Sequence, residues 1–122
     1  MSIKKLNIKI YADGADFKSI KKLANNDLIS GFTTNPTLMR KSGVTDYKKF
    51  ALNVLKVVEK KPISFEIFAD EFDQMYNQAI TISKWSENVN VKIPISNTKG
   101  QSSIDLIRDL SKLGVKLNIT AV

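Results

Sequence analysis

Residues 88–96, "NVNVKIPIS", place a lysine in the middle of a strand-like run in which every second residue is valine or isoleucine. Strict alternation of this kind is typical of a β-strand whose two faces meet different surroundings. Lys92 therefore lies on the face opposite the aliphatic residues. That face also carries Asn90, Pro94 and Ser96. The lysine points either into solvent or into an enclosed space, and the rest of the chain has to distinguish these alternatives.

Strand-like and helix-like segments alternate along the chain. Strands are predicted at residues 6–13, 29–35, 62–69, 88–95 and 114–122. Apolar residues at helical spacing lie between them, at 17–24, 47–58, 72–85 and 104–113. Gly114 follows the last helical pattern, where a helix commonly ends in glycine. This strict β-α order predicts a parallel sheet with right-handed crossovers.

The polar residues of the strands distinguish an open doubly wound sheet from part of a barrel. A central strand of an open sheet is buried on both faces and reads as continuously apolar. Here one face turns polar near the carboxyl ends of the strands, at Asp13, Asn35, Glu66, Lys92, Asn118 and Thr120. Such side chains are costly in a filled core but suit the mouth of a barrel. We therefore predict an α/β fold of the TIM (β/α)₈ barrel family, here an N-terminal portion with five parallel strands and intervening helices.

Composition excludes several kinds of site. The chain has no cysteine and no histidine, so disulfides, thiolate nucleophiles and sulfur- or imidazole-based metal sites are excluded. The formal net charge is +7, but the lysines are spread along the chain, and neither a basic cluster interleaved with aromatic residues nor a Gly-rich phosphate loop is present. We expect no nucleic-acid partner. Without a signal-peptide pattern or a run of membrane-spanning length, we expect no membrane association and a cytoplasmic location.

An enclosed Lys92 beside Asp13 and Glu66 suits Schiff-base chemistry. The amine attacks a ketone carbon, a carboxylate moves protons, and the iminium accepts the electrons of a broken C–C bond. Each residue also has a simpler interpretation. Lys92 could be an edge or surface lysine, Glu66 its salt-bridge partner, and Asp13 and Asn35 turn or cap residues. Their occurrence on one strand face at equivalent depths favours a site.

Five segments together resemble a known family. They are "IYADGADF" (10–17), "GFTTNPTL" (31–38), "SFEIFAD" (64–70), "NVKIPIS" (90–96) and "KLNITAV" (116–122). In this order, and over essentially the whole chain, they resemble the transaldolases and the related fructose 6-phosphate aldolases. The resemblance implies a class I aldolase type of enzyme that uses neither a metal nor an organic cofactor.

The resemblance also implies a role for each matching residue. Lys92 would form the Schiff base with a ketose phosphate, and Asp13 would take the proton from the C4 hydroxyl. Glu66 and Thr120 would hold the water through which protons pass. The residues implied to bind the dihydroxyacetone unit of the substrate are Asn35, Asn118 and Thr34.

The implied reaction is the transaldolase transfer of a dihydroxyacetone unit between sugar phosphates, in the non-oxidative pentose phosphate pathway. Sedoheptulose 7-phosphate or fructose 6-phosphate would be the donor, and an aldose phosphate the acceptor. Fructose 6-phosphate aldolase is the alternative, although that branch typically has glutamine where this chain has Glu66. The alternatives from other classes are an inactive truncated half-barrel that acts only in association, and a nucleic-acid-binding protein.

The chain departs from the family pattern in two places. Asp13 is followed by Gly14, where relatives usually have threonine, and this departure is expected to loosen the setting of the aspartate. The sequence also stops at Val122, whereas relatives continue through three further strand-helix units that carry the phosphate-binding arginine and serine. We therefore expect residues 1–122 to be a single barrel domain that is incomplete at its C-terminus. Such a domain should form a homo-oligomer or associate with a missing barrel half.

Overall fold

The computed structural model of the protein describes residues 8–14, 16–34 and 46–120. Within these ranges five strands alternate with four helices, which confirms the order predicted from the sequence. The elements are β1 (Tyr11–Gly14), α1 (Phe17–Ala24), β2 (Gly31–Thr34), α2 (Tyr47–Leu55), β3 (Ile63–Glu66), α3 (Phe72–Ser83), β4 (Val89–Pro94), α4 (Ile104–Lys112) and β5 (Leu117–Thr120). None of the helices in these described ranges is long and apolar enough to cross a membrane.

The chain forms two compact units, Met1–Ile63 and Ser64–Val122. In the first unit β1 pairs in parallel with β2, with Tyr11 opposite Gly31. A side chain at Gly31 would have no room, because its Cβ would lie 2.7 Å from the carbonyl oxygen of Pro62 and 2.6 Å from Cε2 of Tyr11. The next N–H along β2, that of Phe32, donates to the same Pro62 carbonyl at 2.9 Å. Gly31 therefore allows the backbone and an aromatic ring to approach β2 closely.

Both helices of the first unit begin at an aspartate. The Asp16 carboxylate accepts the N–H of Ser19 at 2.8 Å, and the Asp46 carboxylate accepts the N–H of Lys49 at 3.0 Å. Each bond satisfies a donor that the first helical turn leaves open. The sequence pattern predicted a buried apolar face on each helix, but Phe17 at the start of α1 is 36% exposed. The two helices contact each other and bury only some of the residues of these patterns. These residues are Ile20 on α1 and Phe50, Ala51 and Val54 on α2.

In the second unit β4 lies between two neighbouring strands. It pairs in parallel with β5, with Lys92 opposite Asn118. On its other side the carbonyl of Lys92 accepts the N–H of Ile67, just past the end of β3, at 3.2 Å. Buried and half-buried residues alternate strictly along β4, as the sequence predicts. The buried face holds Val89, Val91 and Ile93.

The core of the second unit lies between this buried face and two helices. Phe65 of β3 meets Trp85 edge to face, with 5.6 Å between ring centroids. Helix α3 contributes Met75, Ala79 and Ile82, and helix α4 contributes Leu106 and Leu110. Gly114 follows α4 with a φ of +83°, a left-handed conformation that favours glycine. The predicted end of the last helix is thereby confirmed.

Some element bounds differ from the prediction. Strand β1 begins at Tyr11 instead of residue 6, and the side chain of Ile8 is 62% exposed. Helix α2 ends at Leu55, although Val58 beyond it is still buried and belongs to the apolar pattern. Strand β5 begins at Leu117, three residues after the predicted start. Residues 6–7, 35 and 121–122 of the predicted strands lie outside the described residues.

Candidate active site

Lys92 lies on the polar face of β4, opposite the buried valines and isoleucines, and its side chain is half-buried. Asn118 is its register partner on β5. Adjacent strands are about 4.8 Å apart, so side chains of register partners stand next to each other on one face. On the other side, the Lys92 ammonium acts electrostatically on the carboxyl of Glu66. The amine therefore lies between a carboxyl group and an amide from its two neighbouring strands.

The carboxyl group of Glu66 has a shifted pKa. Burial raises the pKa of Glu66, and the nearby Lys92 ammonium opposes that rise without cancelling it. Desolvation disfavours the charged form of a carboxyl group, whereas a neighbouring cation favours it. A carboxyl group whose pKa is raised towards neutrality exchanges protons more readily at physiological pH. Glu66 is therefore suited to proton transfer beside the Lys92 amine.

The amide of Asn118 contacts a serine that the sequence analysis missed. Nδ2 of Asn118 donates to Oγ of Ser64 at 3.2 Å. Ser64 is 3% exposed and stands two residues before Glu66, so the two side chains share one face of β3. This spacing is the signal that could have identified Ser64.

Thr120 stands two residues beyond Asn118, on the same face of β5 and nearer its carboxyl end. It is half-buried and lies opposite Pro94 of β4. Its carbonyl accepts the N–H of Ile95 at 2.8 Å, which keeps β4 and β5 together beyond the lysine. The second unit thus brings four of the residues predicted for the site onto neighbouring strands. They are Glu66, Lys92, Asn118 and Thr120.

In the first unit, Asp13 is held by a threonine. Oγ1 of Thr33 donates to Oδ1 of Asp13 at 3.0 Å, between register partners of β1 and β2. Thr34, the threonine predicted to bind substrate, is completely buried and lies on the opposite face of β2. The hydroxyl that reaches Asp13 is therefore that of Thr33, which the sequence analysis missed. Asn35 lies outside the described residues.

Gly14 lies on the buried face of β1, away from the face that carries Asp13. A Cβ at Gly14 would be 2.5 Å from Cγ1 of Ile20 on helix α1. The departure from the family pattern at this position therefore makes room for α1 on the far side of the strand. The bond from Thr33 fixes the aspartate on its own face.

Two loops at the carboxyl ends of β3 and β4 are joined by hydrogen bonds. The Asp70 carboxylate accepts the N–H of Thr98 at 2.8 Å and its hydroxyl at 2.6 Å, and these bonds lower the pKa of Asp70. Nδ2 of Asn97, a residue 4% exposed, donates to the Asp70 carbonyl at 3.3 Å and to Gln101 at 2.8 Å. Active sites of parallel α/β folds lie at this end of the strands. The links hold together the loops that follow Glu66 and Lys92.

The groups available for chemistry are an amine, carboxyl groups, hydroxyls and amides. Among the residues that the structure describes, no cluster of three or more carboxylates is arranged to hold a metal ion. This set of groups can perform covalent catalysis by lysine together with acid-base catalysis by a carboxyl group.

Known proteins share this sequence pattern. Residues 10–122 match the family model described as "Transaldolase/Fructose-6-phosphate aldolase". A protein named "Probable transaldolase" from Dehalococcoides mccartyi is 38% identical over 113 residues, which cover 93% of this chain and 50% of that protein. Another of the same name from Streptococcus agalactiae is 34% identical over 115 residues, covering 94% of this chain and 51% of its own length. "Probable transaldolase 2" from Listeria monocytogenes is 30% identical over 115 residues, with 94% and 50% covered.

The chain thus spans about half the length of the curated relatives it matches. The predicted fold class is confirmed, because this family has the TIM-barrel fold and the chain supplies five parallel strands with intervening helices, a partial α/β fold. The family match covers nearly all of the sequence and includes every residue predicted for the site. The chain therefore belongs to the transaldolase/fructose-6-phosphate aldolase family.

Proposed function

We propose that the protein acts in transaldolase catalysis, in which a dihydroxyacetone unit passes from a ketose phosphate to an aldose phosphate through a Schiff base on Lys92. The observation that supports this most is the position of Lys92 between Glu66 and Asn118 on one polar face. The relatives named as probable transaldolases support the same reaction. Because the chain spans about half of each relative, its activity by itself is part of the proposal.

The proposed chemistry balances without an oxidant or a reductant. The Lys92 amine adds to the ketone carbon, and loss of water leaves an iminium. The C4 hydroxyl gives up its proton, the C3–C4 bond breaks, and its electron pair moves into the iminium to form an enamine. An aldehyde leaves at this step. The enamine then attacks the aldehyde carbon of the acceptor, whose oxygen takes a proton, and hydrolysis of the iminium frees the product and the lysine.

Residues around Lys92 have distinct proposed roles. Glu66, whose pKa is raised by burial, would exchange protons with a water shared with Thr120. Asn118 would hydrogen-bond the hydroxyl groups of the three-carbon unit. Two further assignments are supported by the resemblance alone: Asp13 as the acid/base at the C4 hydroxyl, and Asn35 as a substrate-binding residue. Thr34, predicted as a third, is completely buried on the opposite face of β2 and is left out of the proposal.

The proposal extends to substrates, location and assembly. Sedoheptulose 7-phosphate and fructose 6-phosphate are the proposed donors, within the non-oxidative pentose phosphate pathway and in the cytoplasm. We also propose that the chain forms a homo-oligomer or associates with a chain that supplies the missing barrel half. Light scattering on the purified chain tests the assembly, since a monomeric mass would contradict the homo-oligomer.

Fructose 6-phosphate aldolase is the second candidate, because the matched family model covers both activities. The two reactions share the enamine and differ in its fate. Protonation and release of free dihydroxyacetone in the absence of an acceptor would favour the aldolase. Transfer to erythrose 4-phosphate without free dihydroxyacetone would favour the transaldolase.

Borohydride trapping tests the proposal directly. The chain is incubated with fructose 6-phosphate and borohydride, and the adduct is located by intact and peptide mass spectrometry. We expect a stable three-carbon adduct on Lys92 that is absent from Lys92→Met. Lys112→Met, which removes an exposed lysine from helix α4, is the matched control and should keep the adduct. A folded wild-type chain without any adduct would overturn the proposal for this chain.

A further inference from the structure

Ser64 is a buried polar residue on the face that carries Glu66, and the proposed mechanism gives it no task. Its Oγ accepts the Nδ2–H of Asn118 at 3.2 Å, and its side chain is almost completely enclosed. We propose that Ser64 is a positioning residue that fixes the Asn118 amide beside Lys92 for binding of the three-carbon unit. The inference rests on the proposed function, because it gives Asn118 a bound substrate to recognise.

The hydrogen bond from Asn118 to Ser64 determines which way the Asn118 amide faces. A side-chain amide presents a carbonyl oxygen at one end and two N–H donors at the other. Since Ser64 accepts one N–H of Asn118, the carbonyl oxygen and the second N–H remain to face other groups. Asn118 is the register partner of Lys92, so these groups lie next to the lysine side chain. An amide held in one plane can recognise hydroxyl groups of a substrate attached to that lysine without first being ordered.

The chemistry of the position argues against a role in packing alone. Enclosing a hydroxyl costs free energy unless it is hydrogen-bonded. Alanine would fill nearly the same volume without that cost. The neighbouring residues of β3, Ile63 and Phe65, are apolar and completely buried. The apolar packing of β3 therefore lies on the face opposite Ser64. The hydroxyl of Ser64 is therefore best explained by what it holds.

The first test measures the rate of the Lys92 adduct with fructose 6-phosphate in a double-mutant cycle. We expect Ser64→Ala to slow adduct formation roughly three- to tenfold, while Ser64→Thr, which keeps the hydroxyl, retains most of the rate. In an Asn118→Ala background, Ser64→Ala should have no further effect, because the two residues act through one contact. Rate losses that multiply independently would overturn the inference. Ser83→Ala is the matched control, since the Ser83 hydroxyl bonds the Ile80 carbonyl within helix α3 at 2.7 Å, and its rate should be unchanged.

The second test does not depend on activity. The side-chain NH₂ signals of Asn118 are identified in ¹⁵N NMR spectra by their absence from Asn118→Ala. We expect these signals to move and to exchange faster with water in Ser64→Ala, because the amide loses its partner, and to stay unchanged in Ser83→Ala. Asn118 signals with the same position and exchange rate in Ser64→Ala as in wild type would overturn the inference even in an active chain. A wild-type chain that forms no adduct would instead overturn the proposed function, so the two failures are distinguishable.

Discussion

The hydroxyl of Thr33 donates to the Asp13 carboxylate across the β1–β2 pair, with 3.0 Å between Oγ1 and Oδ1. Thr33→Val keeps the shape of the side chain and removes this donor, so the carboxylate loses a fixed orientation. If Asp13 has its proposed role as the acid/base, we expect cleavage of fructose 6-phosphate to slow about three- to tenfold, because proton transfer depends on the placement of that group. Thr33→Ser keeps the hydroxyl and should retain most of the rate. Equal rates in wild type and Thr33→Val would contradict the prediction.

The raised pKa of Glu66 makes the stability of the protein depend on pH. The folded state binds a proton at Glu66 more readily than the unfolded chain does, whose carboxyl titrates near the ordinary value of 4.5. The stabilisation by the protonated group is complete below that value and is lost as the pH rises through the folded-state pKa. Glu66→Gln lacks this titration. We therefore expect the free energy of unfolding of wild type, relative to Glu66→Gln, to fall across this range in urea titrations, and a pH-independent difference would contradict it.

Lys92 opposes the effect of burial on the pKa of Glu66, so the pKa of Glu66 should respond to the loss of Lys92. Removing the ammonium in Lys92→Met should raise the pKa of Glu66 further, because the cation that opposes the effect of burial is then gone. A ¹³C NMR titration of the Glu66 carboxyl measures this shift. Lys99→Met is the control, since the Lys99 ammonium pairs with Glu71 at 3.1 Å. A Glu66 titration that responds equally to both substitutions would argue against a specific effect of Lys92.

Patterns of period two could be read from the sequence, and the structure follows them on β4. Alternate apolar residues predict a buried face, so the sequence also predicts that Lys92 lies on the opposite face of the strand. The two adjacent threonines of β2 are chemically identical, and only their order on the pleat separates the exposed-face Thr33 from the buried Thr34. Ser64 was missed because a short hydroxyl residue beside apolar residues adds no strong signal of its own.

Contacts between residues far apart in the chain could not be predicted from the sequence. The bonds between Asp70 and Thr98 join positions 28 residues apart, and no local pattern pairs an aspartate with a particular threonine. The raised pKa of Glu66 depends on how deeply the carboxyl group is buried, which the residue type does not determine. The start of β1 was misplaced because Ile8 continues the apolar alternation although most of its side chain is exposed.

Asn97 should be a strong determinant of stability. Its buried amide donates to the Asp70 carbonyl and to Gln101, and its Oδ1 accepts the N–H groups of Lys99 and Gln101 at 3.1 and 2.9 Å. We expect Asn97→Ala to lower the free energy of unfolding by roughly 2–3 kcal/mol, because four part-buried hydrogen bonds of a buried side chain are lost together. Asn77→Ala, on an exposed position of helix α3, is the control and should change it by less than about 0.5 kcal/mol. Equal effects in urea unfolding would refute the prediction.

The two tight glycines of the first unit should differ in their response to alanine. At Gly31 a methyl group would meet the Pro62 carbonyl oxygen, which belongs to the backbone and has little freedom to move. At Gly14 it would meet the side chain of Ile20, which is completely buried but is not part of the backbone. We expect Gly31→Ala to destabilise the protein by about 1–3 kcal/mol, and Gly14→Ala by less. Thermal unfolding of both variants checks this order, and the reverse order would contradict it.

The position of β4 between two strands also bears on the entropy cost of the reaction proposed at Lys92. Its main chain is held by β5 on one side and, through the Ile67 N–H, by the segment after β3 on the other. The proposed nucleophile, the Lys92 amine, therefore starts from a backbone whose conformational freedom was already lost on folding. Only the torsions of its own side chain have to be restricted when a covalent bond forms. The backbone part of the entropy cost on the protein side is thus given up before a substrate arrives.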